Sequence, residues 1–162
     1  MRMDALFSKD RRFRYWLLRE WDAGLRKVAF IGLNPSTADE SVDDATIRRC
    51  IGFARAWGKG GILMLNLYAY RATDPREMWA AQKRGVDIVG GLDNWVDSLK
   101  RYVAEFDCEM VIAAWGGHGR KRQDDVEPRW PGLLCLDLNT DGTPKHPLYL
   151  KSDLQPRLLD RR

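Results

Sequence analysis

The sequence has few cysteines, few histidines and no long hydrophobic run. Its 162 residues include three cysteines and two histidines. The cysteines, Cys50, Cys108 and Cys135, each lie in an apolar setting, and none has the spacing typical of a zinc or iron–sulfur site. We therefore expect buried, reduced thiols, no metal and no other cofactor. No apolar stretch reaches the roughly eighteen residues of a membrane-spanning helix, so we expect no membrane partner.

A strong charge, an internal repeat and a low-complexity linker are also absent. The chain has 27 Lys and Arg against 23 Asp and Glu, a net charge of +4, which is a mild bias toward anionic partners. The whole chain, 1–162, is therefore predicted to be a single domain, and we expect it to act as a monomer. Its first residues show no apolar segment typical of a signal peptide, so we expect a cytoplasmic protein.

Short apolar runs alternate with segments of helical periodicity. Buried strands are predicted at 28–33, 62–65, 110–115 and 133–136. Helices are predicted after Asp43 or Asp44 as far as residue 57, after Asp74, and over 92–106. This alternation predicts an α/β fold, with helices on both faces of a mostly parallel central sheet in three α/β/α layers.

The segment 13–21 fits either a helix or a strand. We favour a strand, because the turn-prone residues 22–24 would join it in a hairpin to the strand that follows. Three tryptophans, Trp57, Trp95 and Trp115, are predicted to lie in the core, because they fall on apolar helix faces or at the end of a buried strand.

Polar residues follow the predicted parallel strands, where ligands bind in sheets of this kind. Asn34 and Ser36 follow the first strand, Asn66 the second, the glycine-rich segment 116–119 the third, and His146 comes after the fourth. None of these groups is a cysteine or a pair of carboxylates. The predicted site therefore binds its ligand through neutral hydrogen-bonding groups.

Four motifs at these positions resemble those of the uracil-DNA glycosylase superfamily. They are Gly32-Leu33-Asn34-Pro35-Ser36, Leu63-Met64-Leu65-Asn66, Ala114-Trp115-Gly116 and His146-Pro147, in that family's order. The chain is also similar to an uncharacterised bacterial and phage family of unknown function. The resemblance implies the superfamily's fold and a monofunctional DNA glycosylase, which hydrolyses the bond between a pyrimidine and its sugar and leaves an abasic site. We expect it in the bacterial nucleoid or encoded by a phage.

The resemblance also assigns roles to individual side chains. Asn34 matches the residue that positions the attacking water, and His146 matches the donor to the base carbonyl as negative charge develops there. Asn66 matches the residue that reads the hydrogen-bonding edge of the flipped base. Ser36 stands where the uracil-restricted branch has a tyrosine that blocks C5, so it leaves room for a C5 substituent.

The size of Ser36 favours a substrate with a substituent at C5. The first expectation is 5-hydroxymethyluracil or another 5-substituted uracil in single- or double-stranded DNA, and the second is uracil. Two alternatives stay open. One is a hydrolase of free modified nucleosides or nucleotides, and the other is a non-catalytic module that binds DNA at a modified base.

Further residues are expected to stack on the base or contact DNA. For stacking, the candidates are Tyr68, Tyr149 and Trp16. For DNA contacts, the glycine-rich basic segment presents backbone N–H groups and cations to a phosphate, and the residues after His146 stand where the superfamily carries a serine and a wedge residue. The serine is absent here. The expected DNA-contacting residues are Gly117, His118, Arg120, Lys145, Leu148 and Tyr149.

Overall fold

A computed structural model describes residues 1–91 and 95–159 of the chain. Within them, the strands are β1 (Arg2–Phe7), β2 (Arg14–Glu20), β3 (Lys27–Gly32), β4 (Gly61–Asn66), β5 (Cys108–Ala113), β6 (Leu134–Cys135) and β7 (Arg157–Leu158). The α-helices are α1 (Ala45–Ala56), α2 (Pro75–Lys83), α3 (Trp95–Glu105) and α4 (Arg120–Val126), with 3-10 helices at Gly117–Gly119 and Glu127–Arg129.

The strands form one mixed sheet in the order β1-β2-β4-β3-β5-β6-β7. The four inner strands β4, β3, β5 and β6 pair in parallel. The outer pairs β1–β2, β2–β4 and β6–β7 are antiparallel. The α/β class is confirmed, whereas the expected mostly parallel sheet describes only the four inner strands.

The predicted inner strands and helices are found within a few residues of their expected positions. Asp44 is the N-cap of α1, because its carboxylate accepts a hydrogen bond from the Ile47 amide at 2.9 Å. Asp74 caps α2 in the same way, with Pro75 in the first turn. Helix α3 is described from Trp95, and Leu92, where the predicted helix begins, lies outside the described residues.

The predicted hairpin between segment 13–21 and the next strand is wrong, although the segment is a strand. β3 has parallel partners on both sides, β4 and β5, so it offers no edge to β2. β2 instead forms a hairpin with β1 and pairs on its other side with β4, with Leu17 opposite Met64. Because β2 is antiparallel to β4, the start of β2 lies beside the end of β4.

The sheet has a hydrophobic cluster on each face. One cluster contains Ile47, Cys50 and Phe53 of α1. The other contains residues of α2, α3 and α4, including Met78 and Trp95. Successive residues of β3 alternate between them, which is the pattern of a strand buried on both faces.

The cysteines and tryptophans largely follow the expectation. Cys50, Cys108 and Cys135 are buried and free, and burial raises the pKa of each thiol, that of Cys108 to about 12. Trp95 and Trp115 are buried, while Trp57 is partly buried against the α1 cluster. No helix in the described ranges combines the length and the apolar character needed to cross a membrane.

Candidate functional site

A cavity of about 900 Å³ opens at the carboxyl ends of β3, β4 and β5. Its volume lies in the range of small-molecule sites, about 300–1,000 Å³. The chain passes from β3 to β4 on one side and later returns to β5 on the other, so the cavity lies at the point where the strand order reverses. Its walls come from segments 32–36, 44–47, 64–66, 72–75, 115–118 and 145–150, and from Arg14 and Asn139.

Asn34 lines this cavity with its carboxamide held in one orientation. Its Nδ2 lies close to three backbone carbonyls, those of Ala72 at 2.8 Å, Pro35 at 3.2 Å and Tyr70 at 3.4 Å. These acceptors identify the nitrogen, so the remaining oxygen, Oδ1, points away from them. No donor to Oδ1 occurs among the described residues. Asn34 can therefore accept a hydrogen bond from a water or ligand.

Asn66 is buried in the cavity wall beside Arg14. Its Oδ1 accepts a hydrogen bond from Arg14 Nη2 at 3.3 Å, and its backbone carbonyl accepts one from Trp95 Nε1 at 2.9 Å. Gly32 gives the Asn66 side chain its space, because a Cβ there would come within 2.9 Å of Asn66 Nδ2. Since Nδ2 has no acceptor in the described part of the chain, Asn66 offers a donor to a ligand.

His146 lies at the cavity rim with a defined tautomer. The Leu148 amide donates to His146 Nδ1 at 3.2 Å, so in the neutral ring the proton is on Nε2. The pKa of His146 lies below its ordinary value because protein atoms displace water from the ring, although part of the side chain remains solvent-exposed. The negative charge of Asp44 opposes this shift. A neutral His146 can therefore donate through Nε2.

The loop from β3 to α1 forms another wall and is held by hydrogen bonds from two arginines. Ser36 lines the cavity, and its backbone carbonyl accepts a hydrogen bond from Arg71 Nε at 3.3 Å. The backbone carbonyl of Ala38 accepts a hydrogen bond from Arg14 Nη1 at 3.0 Å. At the end of the loop, the α1 cap Asp44 also lines the cavity. The site therefore contains a carboxylate and a guanidinium, which corrects the expectation of neutral polar groups alone.

Most of the expected DNA-contacting residues border the cavity. Gly117, His118, Lys145, Leu148 and Tyr149 all line it. The basic segment folds into a 3-10 helix, Gly117–Gly119, followed by α4.

Arg120 is the one expected DNA-contacting residue that the structure does not bring to the cavity. It begins α4, is exposed, and donates a hydrogen bond to the Asp141 carbonyl. Its side chain is therefore directed to the segment after β6.

Two of the three candidate stacking aromatics are also away from the cavity. Tyr68 is buried in the α2–α3 cluster, where its ring meets Trp79 edge to face at 5.3 Å. Trp16 packs edge to face on Phe106 at 4.7 Å. The predicted base-stacking role of Tyr68 does not fit this placement. Tyr149 does line the cavity, and its side chain is 95% exposed.

Two ionisable residues of the site, Arg14 and Asp44, were not among the predicted site residues. Asp44 was assigned only to capping, which is its commonest use. Arg14 lies at the amino end of a strand, whereas the rule that predicts the site applies to the carboxyl ends of parallel strands. The signal that locates it is the antiparallel pairing of β2 with β4. In residues 1–91 and 95–159, no three His, Cys, Asp or Glu side chains are grouped to hold a metal ion.

Comparison with known proteins gives one family. Residues 14–148 match the family described as Protein of unknown function (DUF1643). No curated protein and no solved structure matches the chain significantly. The matched segment starts at Arg14 and includes Asn34, Asn66 and His146. Because it spans most of the sequence, the chain belongs to the DUF1643 family.

Proposed function

We propose that this protein is a DNA glycosylase that hydrolyses the N-glycosidic bond of a modified pyrimidine and leaves an abasic site. The observation that carries the proposal is the convergence of Asn34, Asn66 and His146 on one cavity. Each has a polar atom without a partner among the described residues. Helices that pack against both faces of the sheet fit a three-layer, glycosylase-like arrangement.

Asn34 positions the attacking water in this proposal. Its three carbonyl contacts fix the carboxamide, so Oδ1 is an acceptor that needs no reorganisation when the reaction begins. Asn34 is not a strong base. A sugar that has developed cationic character needs only a well-placed water. As the bond to the base breaks, the water oxygen bonds to the sugar carbon, and the proton that the water then loses neutralises the departing base anion.

His146 and Asn66 bind the departing base. As the bond breaks, negative charge builds up on the pyrimidine, and preorganised donors stabilise it. Neutral His146 donates through Nε2, because the Leu148 amide occupies Nδ1. Asn66 presents Nδ2 to the base edge, because Arg14 already binds its Oδ1. Both donors are in place before the charge appears.

Tyr149 fits the role of a wedge that fills the space left by the flipped base. It is almost fully exposed at the cavity, and its φ of +74° is in the left-handed region, which is unfavourable for a tyrosine. Strained backbone of this kind is concentrated at functional sites. Lys145 and His118 border the same opening and supply contacts for phosphates.

Ser36 sets the preference for a substituted base. It lines the cavity beside Asn34 with a small side chain, so the wall leaves room at C5 of the pyrimidine. We rank 5-hydroxymethyluracil and other 5-substituted uracils first and uracil second.

A second candidate function is hydrolysis of free modified nucleosides or nucleotides. The observation that favours it is the buried Arg14 in the cavity, since a cation there suits a small charged ligand. Salt dependence of the rate separates the two functions. Binding along a DNA backbone releases many counterions, so the rate should depend steeply on salt concentration, whereas the rate with a nucleotide should depend on it weakly.

A cleavage panel tests the proposed function. Single- and double-stranded oligonucleotides carrying uracil, 5-hydroxymethyluracil, 5-hydroxymethylcytosine or mismatched thymine are incubated with the protein and then treated with alkali. We expect strand breaks at one modified base that disappear in Asn34→Ala and His146→Ala. No break across the panel would contradict DNA glycosylase activity, and DNA binding that depends on the base without a break would indicate a binding module.

Ser36→Tyr sharpens the substrate assignment. The larger side chain should suppress cleavage at a 5-substituted base more than cleavage at uracil, and equal losses would remove the steric argument. Borohydride trapping on the same substrates tests the monofunctional assignment. A covalent adduct that is lost in Lys145→Ala would overturn it.

A further inference from the structure

Arg14 is a buried cation at the cavity, and none of its hydrogen-bond partners in the described part of the chain is an anion. Its side chain is 2% exposed. Nη1 donates to the Ala38 carbonyl at 3.0 Å and Nη2 to Asn66 Oδ1 at 3.3 Å, and both acceptors are neutral. Nε is buried and has no acceptor among the described residues. A guanidinium carries five N–H donors, so the described chain uses only part of its binding capacity.

The guanidinium nevertheless keeps its charge. Burial lowers the pKa of Arg14 to about 10, an effect that Asp44 opposes and the positive charge of Arg71 increases. Asp44 is not among the hydrogen-bond acceptors of Arg14, and its Oδ1 caps α1. At neutral pH the cavity therefore contains a cation whose charge the described residues compensate only at a distance. A buried ion of this kind is costly unless a counter-charge is supplied.

Arg14 lies at the buried end of the cavity. Arg14 and Asn66 are both buried, whereas His118 and Tyr149, which line the same cavity, are exposed. When a base is flipped into a pocket, the DNA backbone stays outside, and its phosphates would meet the exposed side. A group that contacts Arg14 thus belongs to the part of the ligand that is inserted deepest.

We propose that the buried end of the cavity is an oxyanion subsite, in which Arg14 binds a carboxylate or phosphate group of a pyrimidine ligand. The pyrimidine in this statement rests on the proposed function. The uncommitted N–H groups of Arg14 and the Nδ2 of Asn66 supply the donors. C5 of a pyrimidine adjoins the C4 group that Asn66 would read, so a carboxylate at C5 reaches the same region. A free nucleotide inserted phosphate first supplies the same chemistry.

A purely structural Arg14 predicts something different. In that case its only task is to hold the Ala38 carbonyl and to orient Asn66, and ligand charge has no effect on affinity. The two interpretations differ in one measurable quantity, the gain in affinity when a neutral ligand group is replaced by an anion of similar shape.

The experiment measures binding to the full chain by calorimetry, with free ligands rather than DNA. The first pair is 5-carboxyuracil and its neutral analogue uracil-5-carboxamide. The second pair is deoxyuridine 5′-monophosphate and deoxyuridine. We expect the anion of at least one pair to bind about tenfold or more tightly than its neutral partner, because a charge-assisted hydrogen bond to Arg14 strengthens binding by about this much. A preference for the carboxylate indicates that the ligand is a substituted base, and a preference for the phosphate indicates that it is a nucleotide.

Two variants connect this preference with Arg14. Arg14→Gln should reduce the ratio of anion affinity to neutral-partner affinity from about tenfold to about one, a loss of about 1.4 kcal/mol in the preference. The ratio is the readout, because Arg14 also orients Asn66 and both ligands of a pair meet that side chain. Arg12→Gln is the control, because it removes the same charge from an exposed position two residues away. A preference that survives in Arg14→Gln would overturn the proposal.

The ligand pairs keep the test decisive if Arg14→Gln fails to fold. Equal affinities of wild type for both members of each pair, or no binding of either anion at millimolar concentration, would also overturn the subsite. Because the readout is equilibrium affinity, an anion preference in a protein that cleaves no DNA would retain the subsite and reject the glycosylase.

Discussion

β2 carries two buried arginines whose surroundings differ. Arg19 is fully buried, and its guanidinium binds Asp43 at 2.7 Å as well as the carbonyls of Leu18, Asp39 and Val42. Within residues 1–91 and 95–159, Arg14 has two neutral acceptors, and its buried Nε has none. Buried polar groups are normally satisfied. The contrast indicates that Arg19 stabilises the fold, while Arg14 is placed for a ligand.

Replacing each arginine with methionine should give the largest difference in the free energy of unfolding. Arg19→Met leaves Asp43 and three carbonyls without their donor, and breaking a buried pair costs about 3–5 kcal/mol. Partial exposure of Asp43 puts the expectation at the lower end. Arg14→Met removes a buried cation that the described residues do not neutralise, and this gain offsets the loss of the donors to the Ala38 carbonyl and Asn66 Oδ1. We therefore expect a change within about 1 kcal/mol. Urea unfolding measures both, and equal losses would contradict the distinction.

Asn34 extends the comparison, because one end of its carboxamide serves the fold and the other faces the cavity. Asn34→Asp places an oxygen against the carbonyls of Ala72, Pro35 and Tyr70. We expect a loss of about 1–3 kcal/mol in the free energy of unfolding and no gain in rate, because the buried acceptors lose their donor. Asn34→Ala should reduce cleavage about 100-fold or more. An Asp variant that is both stable and faster would contradict the assigned orientation.

His146 predicts a dependence on pH. Its pKa is lowered in the folded chain, so as pH falls below about 6.5 the unfolded chain takes up a proton first. Stability should therefore decrease from there down to the lowered pKa and then level off. Protonation also places a hydrogen on Nδ1 against the Leu148 amide, so the rate should fall on the acid side. His146→Gln should remove this part of the stability profile.

Asp44→Asn provides the matched variant for the pH measurement. Asparagine is as good an N-cap as aspartate, so α1 should keep its stability. The negative charge that holds up the pKa of His146 disappears. The acid limb of the rate should therefore move to lower pH, and an unchanged limb would show that Asp44 does not act on His146.

Substitutions of Tyr149 should have the smallest effect on stability. Its φ of +74° suits glycine, so Tyr149→Gly should be more stable than Tyr149→Ala by about 1 kcal/mol. Both variants lose the ring and should lose cleavage of duplex DNA to the same extent, with a smaller loss on single strands. A rate difference between them on duplex DNA would mean that the backbone rather than the ring is important.

The inner part of the fold and much of the site could be predicted from local patterns. Continuous apolar runs located β3, β4 and β5, because strands buried on both faces read as such runs. Asn34 and Asn66 followed from the rule that ligands bind at the carboxyl ends of parallel strands. Pairing partners could not be predicted in this way. The hairpin of β2 with β1 depends on which sheet edge remains open, and local sequence does not encode that.

The missed or misplaced site residues have the same origin. A charged Arg14 at the start of a strand reads as a surface residue, and only its pairing beside the end of β4 brings it to the cavity. Tyr68 follows the same strand as Asn66. Hydrogen bonds from the Leu67 and Tyr68 amides to β3 and the residue after it continue the pairing, and the Tyr68 ring packs in the core cluster. Side-chain direction beyond a strand end depends on these contacts.

Release of the free base is the most direct test of the proposed glycosylase activity. Duplex DNA with one 5-hydroxymethyluracil is incubated with excess protein for a single turnover, and the released base and the abasic sites are both quantified by mass spectrometry. We expect equal amounts of free base and abasic site, and neither in Asn34→Ala, with the folded state of that variant checked by its melting temperature. If folded wild-type protein releases no base from this substrate or from the uracil-containing one, the account of the cavity as a glycosylase site is contradicted.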